Sequence, residues 1–440
     1  MLIRFRVKNF LSFNNEIELS MVAGKAQKHA EHVVIRSSPK DVDLLRSALI
    51  YGANASGKSN VVKAIDFARR MVIDSVKAKS SIPRKPFKLD PNCSNSPSRF
   101  EFEIKYKGKL FTYGFSLDSK RVYEEWLLEI RSSSEKVLFR RTTTSDDTTK
   151  VQIGVKVSKK DMSLFELVAL GTPPNRLYLH ECVERNIKHF ADVYEWFENV
   201  LLIIFPNSMH PLAQIGFENE THFGDNLINY LEKFGTGICG YQLEPISDPS
   251  SELPKEIIED LEQTIKDDEV TTIFNPNLQR YYVTKENEQI KVFKLLLRHK
   301  DETCNSDAWF DMDEESDGTL RLLDLIPLLF RRKEERESVV IIDELDRSLH
   351  PILSYEFISD FLQSKGPNQI IVTTHEANLL DLDLLRRDEI WFVEKDHQGS
   401  SSVYSLEEFA PRYDKDIRKG YILGRFGAIP MISNLDLSEE

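Results

Sequence analysis

Cysteine is scarce in this chain, with four in 440 residues. Cys93, Cys182, Cys239 and Cys304 are scattered too widely for a zinc-ribbon spacing, and such usage suits a reducing cytoplasm. Long apolar runs are missing as well. Stretches such as Val200 to Phe205 fall far short of the roughly 20 residues that cross a bilayer, so no membrane span is expected. No internal repeat is evident, and no heptad pattern is sustained, which excludes a long coiled-coil arm. Arg4, Arg6 and Lys8 interrupt the apolar residues of the first eight, so no secretory signal is expected. Basic charge is in deficit: 58 Lys and Arg against 71 Asp and Glu give a net charge of −13. That balance disfavours a protein coated for nonspecific nucleic-acid binding. The local basic stretches Arg69-Arg70, Lys77 to Lys88 and Arg331-Arg332-Lys333 read as solvated faces, with nucleic acid left open as a partner. What remains is ordinary for a globular chain, 41% hydrophobic and 29% charged, long enough for two or three lobes.

Against that background Gly52-Ala53-Asn54-Ala55-Ser56-Gly57-Lys58-Ser59 stands out, because it fits the phosphate-loop pattern G-x-x-x-x-G-K-S/T without a mismatch. Each position has a chemical reason. The glycines let backbone N–H groups converge on a phosphate, Lys58 adds a point charge, and Ser59 offers a hydroxyl to Mg²⁺. Asn54, Ser56 and Asn60 line the same turn. The short apolar strand Ser47 to Tyr51 precedes it, and Asn60 to Ser75 follows as a helix burying Val61, Val62, Ile65, Phe67, Ala68, Met71 and Val72.

Two later segments extend the chemistry. Ser338 to Ile342 is a fully apolar strand, as in a parallel sheet covered on both faces, and it ends in Asp343-Glu344. Asp343 would hold Mg²⁺ and Glu344 would orient and deprotonate an attacking water; the plain alternative is two carboxylates solvating a strand end. Gln369 to Thr374 is another buried strand, ending in His375. That histidine either contacts a γ-phosphate or is a satisfied structural residue. Upstream, Ser316 or Asp317 caps the apolar-periodic helix Leu320 to Leu329, and Gly318 would let an anion approach its start.

In this order (phosphate loop, Ser-x-Gly helix start, strand-Asp-Glu, strand-His) the chain resembles the ABC-type ATPases and, within them, the RecF/SMC branch. Asn9-Phe10-Leu11-Ser12-Phe13 looks like the opening of that branch, and Glu344 to Pro351 is similar to its segment after the catalytic glutamate. More narrowly, the chain resembles the stand-alone ATPases often encoded in bacterial abortive-infection and antiphage loci, the tail Tyr421 to Pro430 included. The resemblance implies binding of ATP and Mg²⁺ and head-to-tail homodimers or higher oligomers. In these, Ser316 and Gly318 of one copy close the site of another, with Glu344, Lys58 and His375 in catalysis and Ser59 and Asp343 at the metal. It further implies a cytoplasmic sensor or scaffold for a nearby-encoded nuclease or toxin. A RecF-like DNA-repair ATPase and a nucleotide-stabilised scaffold are the alternatives. Three departures stand out: no glutamine lies between Ser59 and Lys150, where such proteins carry a Mg²⁺-sensing Gln. The signature reads Ser316-Asp317-Gly318, and His350 falls where many relatives have Asp. Lys88 or Asp90 would substitute for the glutamine.

The fold class expected is α/β, an ABC-type P-loop core with an antiparallel β lobe and a compact helical insertion. Its parts are core residues 1–80, a β lobe over 81–160, a mainly helical insertion over 161–305 and the second core segment over 306–440. Arg99 to Ile130 alternates strongly around a turn at Lys107-Gly108-Lys109, and Ser132 to Lys150 reads as a linker. Leu164 to Leu170, Ile187 to Phe205, Asp225 to Phe234 and Glu252 to Asp267 read as helices. Tyr281 to Thr284 and Ile290 to Phe293 read as a hairpin. The 65 residues after His375 are too few for an added nuclease domain and read as a closing hairpin and a packing tail.

Overall fold

The structure, a computed structural model, describes all residues except 27, 39–40, 132–133, 145, 210–221, 267–269, 275–278, 287–288, 301–307, 331–336, 365, 410–415 and 431–440. Cys304 and the basic run Arg331-Arg332-Lys333 lie outside the described residues. The chain divides into two compact units. The first comprises Met1–Pro206, Glu335–Asp346 and Leu362–Glu440; the second comprises Asn207–Glu334 and Arg347–Phe361.

Parallel strands need apolar side chains on both faces, and five segments of the first unit supply unbroken runs of them. Its six-stranded sheet has the order Leu201–Ile204, Val339–Ile342, Gln369–Thr373, Ser47–Tyr51, Ile390–Lys395, Ser401–Ser405. All neighbours are parallel except the last pair, which forms the antiparallel closing hairpin. Parallel strands expose their last residues at one sheet edge, so Tyr51, Ile342 and Thr373 end together. The strand carrying Thr373 lies between the other two.

A seven-stranded antiparallel sheet packs in the same unit, running Thr149–Ile153, Ser134–Thr143, Val122–Arg131, Lys109–Leu117, Ser98–Tyr106, Leu2–Lys8, Ile17–Ser20. Its alternation separates two faces. Phe5, Phe100, Phe102, Ile104 and Phe115 enter a core shared with the helix Lys58–Ile73. Arg4 and Arg6 instead pair with Glu18, Glu101 and Glu103. Gln369 joins the sheets: its side chain accepts from Leu2 N at 2.6 Å and donates to Leu2 O and Leu45 O. The tail stacks Tyr421 and Phe426 on Phe392 and receives the Tyr404 hydroxyl at Phe426 O.

Three expectations fail here. Ser132 to Lys150 is not a linker: Ser134–Thr143 and Thr149–Ile153 are paired strands. Leu138 and Phe139 enter the core, but Arg141, Thr143 and Thr149 are buried beside them, and these polar residues hid the alternation. Arg141, fully buried, meets buried Glu125 at 3.4 Å and donates to Thr143 and Thr149. The helix expected over Ile187 to Phe205 ends in a π-turn at Trp196–Val200, and Leu201–Ile204 continues as an outer strand of the parallel sheet. A short apolar run does not distinguish the two by pattern alone. Lastly, residues 161–305 are not one helical insertion. Residues up to Pro206 belong to the first unit. The second unit holds the antiparallel sheet Ile238–Pro245, Gln289–His299, Arg280–Glu286, Val270–Phe274, which contains the expected hairpin, with Ala308–Asp311 added to Gln289–His299. Half-exposed strands interrupted by Gln242, Glu244 and Lys291 lose the apolar signature. The second unit also claims the helix Asp317–Leu325, expected with the 306–440 core segment.

The Glu125 carboxylate also accepts from Tyr178 N at 2.6 Å, Leu179 N at 3.0 Å and the Tyr113 hydroxyl at 3.0 Å. Removing one member of such a buried pair strands the other charge, so Glu125→Ala lowers unfolding free energy by about 3–5 kcal/mol in denaturant titrations.

Candidate functional site

The phosphate-loop segment leaves its strand at Gly52 and enters its helix at Lys58, with Gly57 as the N-cap. Gly57 sits at φ 115°, and a Cβ there would lie 2.5 Å from Ser401 Oγ and 2.7 Å from Ser12 Oγ. Both conformation and space therefore demand glycine. A Cβ at Gly52 would meet Val393 O at 2.4 Å. Two serines brace the loop from outside. Ser401 Oγ donates to Ser56 O at 2.5 Å, and Asn60 Nδ2 donates to Ser12 Oγ at 2.8 Å. Ser401 N in turn donates to Ser12 O. Ser12 stood in the opening motif without a role, and Ser401 carried no signal at all. Asn54 is exposed at the tip, whereas Ser56 Oγ is buried with no hydrogen-bond partner among the described residues.

Lys58 is only 5% exposed. Its ammonium donates to Gly52 O at 2.9 Å and Ala53 O at 3.1 Å and reaches His375 Nδ1 at 3.5 Å. Burial brings its pKa down to about 8, against the opposing pull of Asp346, Asp343 and Glu344. Those carboxylates thus lie close enough to act on the loop lysine. His375, the residue after Thr374, donates its backbone N–H to Asp346, and burial together with Lys58 lowers its pKa.

The acid pair is set by a residue that sequence reasoning missed. Thr373 ends the intervening strand, and its hydroxyl donates to Asp343 Oδ1 at 2.6 Å while accepting from Glu344 N at 2.8 Å. Asp343 is 3% exposed, and Glu344 is half-buried with φ 50°, a left-handed conformation that a glutamate adopts at a cost of about 1–3 kcal/mol. Asp343 and Ser59 are hard oxygen donors of the kind Mg²⁺ takes. The residue pattern Thr373-Thr374-His375 at a strand end was the available signal for Thr373.

Near the glutamine gap, Lys88 lines a cleft of about 340 Å³ with Leu11, Ser12, Asn60, Phe87 and Leu89. Asp90 instead caps the helix Pro91–Asn95, accepting from Asn92 N at 2.9 Å. Arg84, from the basic stretch, turns inward onto the carbonyls of Ser94, Ser96 and Leu117. In the second unit, Ser316 caps its helix, accepting from Thr319 N at 3.1 Å, and a Cβ at Gly318 would lie 2.8 Å from Ser348 O. His350 is exposed there and its ring accepts from Ile352 N.

The family described as “AAA domain, putative AbiEii toxin, Type IV TA system” matches residues 47–381, from the phosphate-loop strand to just past His375. No curated protein matches the sequence. Among solved structures, the SMC head domain from Thermotoga maritima aligns at 14% identity, covering 92% of this chain and 98% of that one, with a TM-score of 0.38. An Smc head domain with an extended coiled coil, bound to the C-terminal domain of ScpA and derived from Pyrococcus furiosus, aligns at 14% identity over 97% and 99%, with a TM-score of 0.35.

Two outcomes test this geometry. Thr373→Val removes the hydroxyl between the acids, so nucleotide turnover falls at least about tenfold while affinity changes less than about twofold, by phosphate release and calorimetry. Lys58 carries a folded-state pKa of about 8, and a bound phosphate would raise it. Affinity for a nucleoside triphosphate therefore declines as pH rises above 8, with proton uptake on binding. Calorimetry in buffers of different ionisation enthalpy reads both, and Lys58→Met abolishes the uptake.

Proposed function

The chain belongs to this family of AAA domains, and from that premise we propose that it is an ATP-hydrolysing switch, completed head to tail by a second copy, that controls a separately encoded effector in antiphage defence. The observation that carries the reading is the convergence of Lys58, His375, Asp343 and Glu344 at one edge of a parallel sheet, with the lysine touching the histidine at 3.5 Å. Such an edge is where open α/β sheets bind ligands.

In this reading the loop N–H groups and the Lys58 ammonium receive the triphosphate, with Lys58 leaving the Gly52 and Ala53 carbonyls for the β/γ oxygens. Asn54, Ser56 and Asn60 would contact the nucleotide, and the buried Ser56 hydroxyl, without a partner among the described residues, suits an anion. The cleft beside Asn60 and Phe87 offers a seat for the base. Ser59 and Asp343 would hold Mg²⁺, which when bound supplies charge neutralisation at the reacting phosphate. Glu344, fixed by its N–H to Thr373, orients and deprotonates the attacking water. His375, kept neutral by burial and by Lys58, senses the γ-phosphate.

Each chain has one phosphate loop, one acid pair and one Ser316-Asp317-Gly318 helix start, the last in a separate unit. Closure in trans by Ser316 and the Gly318 backbone follows the ABC arrangement that the sequence resembles. The family description, which names a Type IV toxin–antitoxin system, supports a defence setting, and the separate nuclease or toxin follows from the resemblance of the sequence. Among the described residues no helix is long and apolar enough to cross a membrane.

Subunit mixing tests closure in trans. Lys58→Ala and Gly318→Asp chains are each inactive alone, and an equimolar mixture recovers about a quarter of wild-type turnover, because half the dimers contain one intact site. No recovery would refute the shared site. For the effector, chain trapped with Glu344→Gln and Mg-ATP retains a neighbouring gene product in stoichiometric amount. Recovery of DNA with no protein partner would contradict effector control.

A further inference from the structure

Outside the nucleotide site, the segment His29-Ala30-Glu31-His32 forms a tight 3-10 turn in which His29 takes a left-handed conformation, φ 54°. The two imidazoles stack with centroids 4.8 Å apart and planes 11° from parallel. Each ring spends one nitrogen on an acceptor. His29 Nε2 faces Leu382 O at 3.0 Å, and a carbonyl only accepts, so that nitrogen carries the proton. His32 Nδ1 faces the carboxylate of Glu389, fully buried, at 3.1 Å. The remaining nitrogens, His29 Nδ1 and His32 Nε2, lie 3.4 Å and 3.8 Å from the same oxygen, Glu31 Oε1. Two ring nitrogens and a carboxylate oxygen thus converge on one point, a donor set of the kind a divalent cation takes.

We propose that His29 Nδ1, His32 Nε2 and Glu31 form a divalent-metal site of the zinc class, with an open fourth position. The three ligand atoms all lie within 4.8 Å of one another, and ligands around tetrahedral zinc at about 2.0–2.1 Å stand roughly 3.4 Å apart. Glu31, whose side chain is 63% exposed, already places Oε1 3.4 Å and 3.8 Å from the two nitrogens, so the remaining difference lies between the imidazoles and closes by a small ring movement. The supporting contacts are those that metal-binding histidines use: a buried carboxylate behind one ring and a carbonyl behind the other. The turn is also held independently of any metal. Arg46 N donates to His32 O, Arg386 donates to Ala26 O and Lys28 O, and Gly24 N donates to Asp388. Nitrogen with one carboxylate favours zinc over Mg²⁺ or Ca²⁺. Glu389 leads directly into Ile390–Lys395, the parallel neighbour of the phosphate-loop strand, so the metal would fasten the amino-terminal turn to the nucleotide-binding sheet.

Zinc titrated into the full-length protein against a chromophoric chelator, without nucleotide, tests this. The expected result is about one zinc per chain, with at least a tenfold loss of affinity in His29→Ala and in Glu31→Gln. Cobalt gives the visible absorption of a tetrahedral site, and zinc raises the melting temperature reversibly to chelation. Because Glu31 is exposed, Glu31→Gln keeps the metal-free melting temperature and separates ligand loss from misfolding. Zinc retained at wild-type affinity in both variants, or no zinc bound by the wild type, overturns the proposal.

Discussion

One strand sets the candidate nucleotide site. Gln369–Thr373 is hydrogen-bonded in parallel to the phosphate-loop strand on one side and to the acid strand on the other, with Thr373 beside Ile50 and Val372 beside Ile342. The register matters at the strand's end, because a shift of one residue would turn the Thr373 side chain to the other face and away from the acid pair. Its last hydroxyl then performs two tasks, donating to Asp343 and accepting from the N–H of Glu344. Its continuation delivers His375 to Lys58. Gln369, at the other end, ties the same strand to Leu2 and Leu45. The central strand thus couples the amino-terminal sheet to the chemistry at the opposite end.

Electrostatics follow from that placement. A lysine almost wholly removed from water beside three carboxylates sits in a field that both desolvates and attracts it, and desolvation wins. Its ammonium is held by the loop carbonyls, a set of contacts that a phosphate would replace with stronger, charge-assisted ones. Gly52 and Gly57 are packed so closely against Val393, Ser12 and Ser401 that the loop keeps one shape. An anion cradle that is already formed loses little entropy on binding.

The core of this arrangement was legible in the chain because its signals are local. Glycines at fixed spacing, an apolar run ending in two acids, and a strand ending in histidine each declare themselves within ten residues. What escaped sequence reading is long-range or inverted. Ser401 reaches Ser56 across 345 positions, and nothing near it marks that contact. Thr373 was visible as a strand residue, but its hydroxyl acquires meaning only from Asp343 and Glu344, about 30 residues away. Arg141, Thr143 and Thr149, buried beside Leu138 and Phe139, broke the apolar alternation and disguised two strands as a linker. The second unit was misjudged for a third reason: its strands bury one face, so their composition resembles that of surface helices.

The central claim is that Glu344, held by Thr373 at the end of the acid strand, is the base for ATP hydrolysis at the Lys58 loop. A single-turnover measurement of phosphate release, with enzyme in excess over Mg-ATP, tests it most directly when wild type and Glu344→Gln are compared at matched ATP occupancy. The account predicts equal binding and release at least about 100-fold slower in the variant, the scale of a lost general base. Equal release rates in the two proteins would contradict it.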